Sequence, residues 1–199
     1  ERNIKDFMHG LRQASNYISN TLPSPKLDKA VEYAKKSNDK KERIVIYTSW
    51  LKFGITPLEK LLKRANIPFR KITGATTSSA SNKIVNDYKS DKFYVLLISS
   101  AGSSGLDLTK VRSVVILEPY WHKERITQVI GRASRYKSHA DLPENERFVD
   151  VYNLILKKPK RIGSEVLSVD EIMQRMMENK ASKINLLKEI IKENGVETG

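Results

Sequence analysis

Two arginines and a glutamine recur at helical spacing near residue 130. Gln128, Arg132 and Arg135 stand at i, i+4 and i+7, which places their side chains on one face of a helix. Arginine is permanently charged, and its planar guanidinium binds phosphate oxygens through two parallel hydrogen bonds. Two guanidiniums on one rigid face therefore suit a triphosphate whose negative charge grows during cleavage. A basic amphipathic helix on an ordinary surface would show the same spacing.

A loop of small residues follows an apolar segment upstream of this helix. Residues 94–98 are apolar throughout and predict a strand buried on both faces, as in a parallel sheet. The small residues begin at Ser99, and a loop at the carboxyl end of a parallel strand is where ligands usually bind. We expect its hydroxyls and backbone N–H groups to hold phosphate, and Asp107 to accept a hydrogen bond from a ribose hydroxyl. A plain flexible turn is the alternative interpretation.

Both segments resemble motifs of superfamily 2 helicases and translocases. The stretch 128–135 resembles motif VI, whose two arginines reach across a cleft to ATP that another domain mainly binds, and 99–108 resembles motif V. The resemblance implies two catalytic residues, Arg132 and Arg135. It further implies contacts to ATP from Gln128, Gly105 and Asp107.

The same resemblance extends to segments that contact nucleic acid. Residues 43–50 form a β-branched strand with a polar end and resemble motif IV, whereas 72–77 resemble a segment that lies beside the nucleic acid in Swi/Snf-type translocases. The resemblance implies nucleic-acid contacts from six residues: Ser49, Trp50, Gly74, Thr76, Ser99 and Ser100. As an alternative, Gly74 marks a strand-to-helix turn, and Thr76 or Thr77 caps the helix that follows.

Further segments are similar to Swi/Snf-type helicases in particular. Residues 11–16 resemble the L-R-Q-x-x-N stretch that joins the two lobes of that family, and 24–28 read S-P-K-L-D, as at the start of its second lobe. Trp121 stands seven residues before Gln128, which is the spacing in that family. Residues 136–149 resemble a pattern of the Swi/Snf-like helicases of large DNA viruses.

Alternating elements predict an α/β protein. Strands are predicted near 43–47, 69–72, 94–98, 113–117 and 148–155, with helices near 56–65, 78–89 and 123–136. The resemblance implies a RecA-like three-layer sandwich with a mostly parallel sheet, plus flanking N- and C-terminal helices. We divide the chain into an inter-lobe linker helix at 1–24, a helicase C-terminal RecA-like domain at 25–162 and a helical C-terminal extension at 163–199. Two apolar stripes in the extension predict two helices that pack on the lobe, on the missing domain or on a protein partner.

Composition agrees with a nucleic-acid partner. The net charge is +13, from 36 Lys and Arg against 23 Asp and Glu, which favours a polyanion, although many basic surfaces are merely solvated. The chain has no cysteine, and its three histidines show no ligand spacing, so we expect no metal site. Without a secretory signal or a long apolar run, we expect no membrane contact and a soluble, intracellular protein, in the host cytoplasm or virion if it is viral. Because the chain starts at Glu1, we expect it to be a piece of a longer protein.

Two motifs are absent and limit the expected activity. The sequence has no G-x-x-x-x-G-K-[ST] phosphate loop and no D-E-x-[DH] run, and the resemblance places both on the N-terminal lobe of the same protein. That lobe would mainly hold ATP and Mg²⁺, so this chain alone is expected to be inactive. We expect the partner to be DNA in preference to RNA. The alternatives are a non-catalytic nucleic-acid- or protein-binding module with the helicase fold, and an unrelated α/β phosphate-binding enzyme.

Overall fold

Five parallel strands form the sheet at the centre of the computed structural model, which describes residues 2–17, 19, 24–102, 105–119, 127–128, 130–131, 139, 142–157 and 167–194. Within these ranges, the positions of side chains are described from residue 9 to residue 184. The strands are β1 Arg43–Thr48, β2 Phe69–Ile72, β3 Val95–Ser99, β4 Val111–Ile116 and β5 Asp150–Asn153. Their order across the sheet is β2-β3-β1-β4-β5, and all neighbours pair in parallel.

Helices cover both faces of this sheet. They are α1 Arg2–Asn16, α2 Pro25–Asp39, α3 Thr56–Arg64, α4 Ser78–Lys89 and α5 Val169–Asn194. The Ser24 hydroxyl caps α2 by accepting the Lys26 N–H at 3.3 Å, and Thr77 caps α4 by accepting the Ala80 N–H, also at 3.3 Å. Both helices therefore begin with a hydroxyl that accepts a backbone N–H group, which has no partner within the helix itself.

Alternate strand residues divide the core into two halves. Ile44 and Ile46 of β1 pack against α2 and α3, whereas Val45 and Tyr47 pack on the opposite face with α4. The central strands β1 and β3 are buried at every residue, which explains why 44–47 and 95–98 are apolar without alternation. Full burial of such a side chain stabilises the fold by about 1.5–3 kcal/mol.

The structure confirms the predicted fold class. All five predicted strands are present within a few residues of their expected bounds, and 127–128 and 130–131 are helical, as predicted for 123–136.

The prediction of two C-terminal helices is wrong, since 169–194 form one continuous helix. No proline or glycine interrupts 169–194, and the apolar positions Met177 and Ile184 are two helical turns apart, so the two stripes continue on one face. None of the helices in the described ranges has the length and apolarity needed to cross a bilayer.

A π-helical turn at Leu51–Ile55 connects β1 to α3 and requires a glycine at its fourth position. A Cβ at Gly54 would overlap the Thr48 Oγ1 atom and lie 2.8 Å from Thr48 Cγ2. Thr48 cannot rotate away freely, because its hydroxyl hydrogen-bonds the Glu118 carboxylate at 3.1 Å. Close packing of the Thr48 side chain against the backbone of Gly54 therefore excludes a side chain here.

Gly54→Ala is expected to destabilise the protein by about 1–3 kcal/mol through overpacking, measured by thermal or urea unfolding. Gly10→Ala is the matched control, because a Cβ at this exposed position of α1 would meet nothing within 4 Å. Alanine should raise helix stability there by up to about 1 kcal/mol. Equal effects of the two substitutions would contradict the packing explanation.

Candidate functional site

Polar residues collect where the central parallel strands end. Thr48 of β1 pairs with Ser99 of β3, and the Leu117 N–H after β4 bonds the Tyr47 carbonyl at 2.9 Å. The residues that follow these strands, Ser49, Ser100 and Glu118, therefore lie along one edge of the sheet. In parallel α/β sheets this carboxyl edge is the usual position of ligand sites.

A cleft of about 480 Å³ opens beside this edge, between α4 and the loops that follow β2 and β3. We call it the polar cleft. It contains four residues predicted from two separate motifs, Gly74, Thr76, Gly105 and Asp107. Its other lining residues are mostly hydroxyl- or amide-bearing or small: Thr73, Ser78, Ser81, Asn82, Asn86, Lys89, Ala101 and Gly102, with Ile72, Val85 and Leu106.

Close packing of the two loops forms the wall of the polar cleft. A Cβ at Gly74 would lie 2.8 Å from the Ala101 Cβ, so the turn after β2 has no space for a side chain at this position. The Thr76 hydroxyl accepts the Thr73 N–H at 2.9 Å and closes that turn. Gly105 has a φ of +72°, a backbone conformation that favours glycine. Both glycines thus have structural reasons for their identity, in addition to any ligand contact.

An ion pair spans one end of the polar cleft. Lys89 Nζ lies 2.7 Å from Asp107 Oδ2, and the two side chains are 30% and 54% exposed. The carboxylate predicted to bind a ribose hydroxyl is therefore already engaged by a cation. Sequence reasoning missed Lys89 as a candidate site residue. The only local signal for a cation at this site was its position in the last turn of α4, close to the predicted loop.

The predicted nucleic-acid residues at the strand ends are less accessible than those in the cleft. Ser99 is 2% exposed, and its hydroxyl accepts the Gly102 N–H at 3.3 Å. Ser100 begins a short 3₁₀ turn and is half-buried, as are Ser49 and Trp50. Within the described residues, the buried Ser49 Oγ and Trp50 Nε1 atoms have no hydrogen-bond partner. Nucleic-acid contacts from these four residues stay predictions.

Helix α1 lies over Trp50. The His9 ring meets the Trp50 ring edge-on at 4.6 Å between centroids, and the Arg12 guanidinium stands 5.5 Å from the indole centroid. Arg12 also donates to the Pro119 carbonyl at 3.2 Å. The segment that resembles an inter-lobe linker is therefore packed directly on residues predicted to face nucleic acid.

Sequence reasoning missed a buried carboxylate at the end of β4. Glu118 is 2% exposed and accepts hydrogen bonds from Asn16 Nδ2 at 2.8 Å, from the Thr48 hydroxyl and from the Ser49 N–H. It thereby ties α1 and the end of β1 to β4. A carboxylate immediately after the all-apolar run 114–117 was the available signal, since a buried charge there requires several donors.

A second buried polar group, centred on Asp170 of α5, joins this helix to α1, to α2 and to the segment after β5. Lys26 Nζ lies 2.6 Å from Asp170 Oδ2, and the side chains are 3% and 1% exposed. Ser15 Oγ donates to Asp170 Oδ1 at 2.9 Å, and the Leu156 N–H donates to Oδ2 at 2.9 Å. Burial lowers the pKa of Lys26 from its ordinary value of 10.5, although the adjacent Asp170 opposes this shift. No local sequence pattern signalled this pair, because Lys26 and Asp170 are 144 residues apart.

The predicted catalytic arginines, Arg132 and Arg135, lie outside the described residues, as does Trp121. Gln128 is described and is exposed on a helical segment.

His139 is buried, and its Nε2 lies 2.7 Å from the Val111 carbonyl, so this imidazole contacts the start of β4. Among the described residues, no three His, Cys, Asp or Glu side chains lie together as a metal-binding group.

A parallel sheet with helices on both faces and polar loops at its carboxyl edge defines a RecA-like α/β lobe. The chain belongs to the helicase conserved C-terminal domain family, whose model matches residues 25–137. This confirms the resemblance to the second lobe of superfamily 2 helicases. The C-terminal part of the Fun30 ATPase domain shares the fold, with a TM-score of 0.60 and 18% identity, and the match covers 84% of this chain and 59% of that one. The Pyrococcus furiosus Hef helicase domain shares it as well, with a TM-score of 0.54 and 23% identity, and the match covers 76% of this chain and 28% of that one.

Curated relatives include proteins of large DNA viruses. A protein of Acanthamoeba polyphaga mimivirus named "Putative ATP-dependent RNA helicase" is 38% identical over 191 residues, which cover 96% of this chain and 42% of the relative. Nucleoside triphosphatase I of Choristoneura biennis entomopoxvirus is 29% identical over 162 residues, or 78% of this chain and 24% of the relative. The chain thus spans less than half the length of either relative.

Proposed function

We propose that this chain is the second lobe of an ATP-dependent nucleic-acid helicase or translocase that serves a large DNA virus, in transcription. The observation that carries the proposal is the polar cleft, where Gly74 and Thr76 from one predicted motif meet Gly105 and Asp107 from another. The strand order places these two loops side by side, and the hydroxyls, amides and ion pair that they bring together are groups that bind sugars and phosphates. The family membership and the names of the viral relatives support the same assignment.

The polar cleft has the chemistry of a sugar-phosphate site. Ser78 lies in the first turn of α4, where backbone N–H groups and the helix dipole favour an anion, and the Thr76 hydroxyl stands beside it. Asn82 and Asn86 offer amide donors and acceptors to sugar hydroxyls farther along the cleft. Lys89 has three N–H donors, so it can hold Asp107 and a phosphate together. Contacts of this kind are made to the backbone and are independent of base sequence.

ATP would be held from this lobe by the motif VI residues. We assign Arg132 and Arg135 to the phosphates, Gln128 to an adjacent polar contact, and Asp107, with Gly105 shaping its loop, to the ribose. The exposed position of Gln128 and the 54% exposure of Asp107 fit this role, because both side chains can face a second lobe. We assign Mg²⁺ and most ATP contacts to the N-terminal lobe of the same protein. When bound, ATP supplies the phosphoanhydride bond whose hydrolysis drives the motor.

The identity of the nucleic acid is part of the test. The sequence favours DNA by its similarity to Swi/Snf-type proteins, whereas the mimivirus relative is named as an RNA helicase. Steady-state ATP hydrolysis by the full-length protein should rise when its own track is added, with duplex DNA, single-stranded DNA and RNA each supplied in turn. The stimulation should weaken as the salt concentration rises, because contacts to phosphates release counterions from the nucleic acid and this release is less favourable in high salt. A full-length protein that binds nucleic acid without hydrolysing ATP would instead favour the non-catalytic module.

Lys89→Ala tests the assignment of the polar cleft. Loss of one phosphate contact should weaken nucleic-acid binding and reduce the slope of log affinity against log salt by about 0.7–0.9. Binding is measured by fluorescence anisotropy at several salt concentrations. Lys83→Ala is the matched control, because Lys83 is exposed on the same helix and does not line the cleft. Equal loss of affinity in both variants would remove the cleft from the proposal and leave only general charge attraction.

A further inference from the structure

An apolar groove of about 500 Å³ lies on the opposite side of the sheet from α4. Leu27 of α2 with Pro57 and Leu61 of α3 form its floor, and Tyr17 and Ser19 form one wall. Lys60, Lys63 and Arg64 line its other side. This volume is within the range of ordinary ligand pockets, so the groove has room for at least one large apolar side chain.

The cations of the groove come from one helix face. Lys60, Lys63 and Arg64 stand at i, i+3 and i+4 on α3, and all three are exposed. Within the described part of the chain, neither Lys63 nor Arg64 forms an ion pair with a carboxylate. A strip of positive charge therefore borders an apolar floor, and the complement of this surface is acidic and apolar.

We propose that the apolar groove docks a short acidic segment of a partner protein. The segment packs a leucine or phenylalanine side chain on the half-buried Tyr17 and Leu61, above the buried Leu27, and sets its carboxylates against Lys63 and Arg64. Burial of the apolar anchor supplies affinity, and the charges at the border supply orientation and rate of association.

Two other occupants fit the groove less well. A nucleic-acid backbone would satisfy the cations but leave the apolar floor without a partner, because phosphates and sugars are polar. A second copy of the chain carries the same net charge of +13, so its approach is opposed by long-range repulsion. An acidic segment with an apolar anchor satisfies both parts of the surface.

The proposal is tested by fluorescence anisotropy with the full chain and a short labelled peptide in which one leucine is flanked by Asp and Glu. We expect measurable binding that a peptide with Ser in place of Leu lacks. The double charge reversal Lys63→Glu/Arg64→Glu should weaken binding by about tenfold or more. Lys35→Glu/Lys36→Glu is the matched control, because these residues of α2 are exposed and outside the groove, and it should bind as the parent does.

Three results would overturn the proposal. The first is equal binding of the Leu and Ser peptides, or no binding of either. The second is an equal loss in the two charge-reversal variants, which would indicate general attraction. The third is evidence for another occupant. This would be efficient displacement of the peptide by an oligonucleotide, or self-association of the chain that Lys63→Glu/Arg64→Glu abolishes and the control variant does not. Thermal unfolding of each variant separates these results from a fold defect, since Lys63 and Arg64 also stabilise the end of α3 through its dipole. None of the outcomes affects the nucleic-acid tests, because the groove shares no residue with the polar cleft.

Discussion

Arg135→Ala in the full-length protein is expected to lower nucleic-acid-stimulated ATP hydrolysis by about 10³-fold or more, if it acts as arginine fingers do in other nucleotide hydrolases. The transferred phosphoryl group gains negative charge on its oxygens in the transition state, and a guanidinium placed there stabilises this charge more than that of the ground state. The effect should therefore appear in kcat, measured by phosphate release under saturating ATP and nucleic acid. Nucleic-acid affinity, measured by anisotropy, should change little.

Two variants control the interpretation of this result. Arg135→Lys keeps the charge but loses the bidentate geometry, so it should restore little of the rate if positioning matters. Arg70→Ala removes an exposed arginine on β2 and should leave hydrolysis unchanged. A fully active Arg135→Ala variant would contradict the assignment of motif VI. Inactivity of the parent protein with every nucleic acid would favour the non-catalytic binding module.

Asp170→Ala is expected to destabilise the protein by about 3–5 kcal/mol, which corresponds to a Tm lowered by roughly 6–20 °C. The substitution leaves the Lys26 ammonium buried at 3% exposure without its carboxylate, and it removes the acceptor of Ser15 Oγ and of the Leu156 N–H. Removing one partner of a buried pair costs far more than the pair itself contributes, because the remaining charge stays desolvated. Differential scanning calorimetry or urea unfolding measures the change.

The exposed pair Lys29–Glu32 provides the matched control. Its charged atoms are 2.7 Å apart, against 2.6 Å in the buried pair, but its side chains are 46% and 65% exposed. Glu32→Ala should therefore change the Tm little, since solvent screens exposed charges. Lys26→Met combined with Asp170→Ala should recover part of the lost stability, because neither charge of this pair then stays buried without the other. A Tm near that of the parent for Asp170→Ala alone would show that water reaches Lys26.

Local sequence determined the elements of this fold. Continuous apolar runs at 44–47, 94–98 and 114–117 correspond to the three central strands, because the middle of a strand that is buried on both faces is apolar without alternation. Helix starts followed from local chemistry as well, since Thr77 was one of two candidate caps for α4 and is the one used. Family membership was likewise readable from short motifs, because each motif is a run of neighbouring residues in the sequence.

Tertiary structure alone decided which of these units meet. Asp170 bonds Ser15 and Lys26 across sequence separations of 155 and 144 residues, and no periodicity encodes such a pairing. The strand order likewise brings the loop after β2 beside the loop after β3, which makes one polar cleft from residues that the sequence assigned to separate ATP and nucleic-acid roles. The physical reason is that sequence patterns report burial and local hydrogen bonding, whereas sites between elements depend on the packing of whole helices against the sheet.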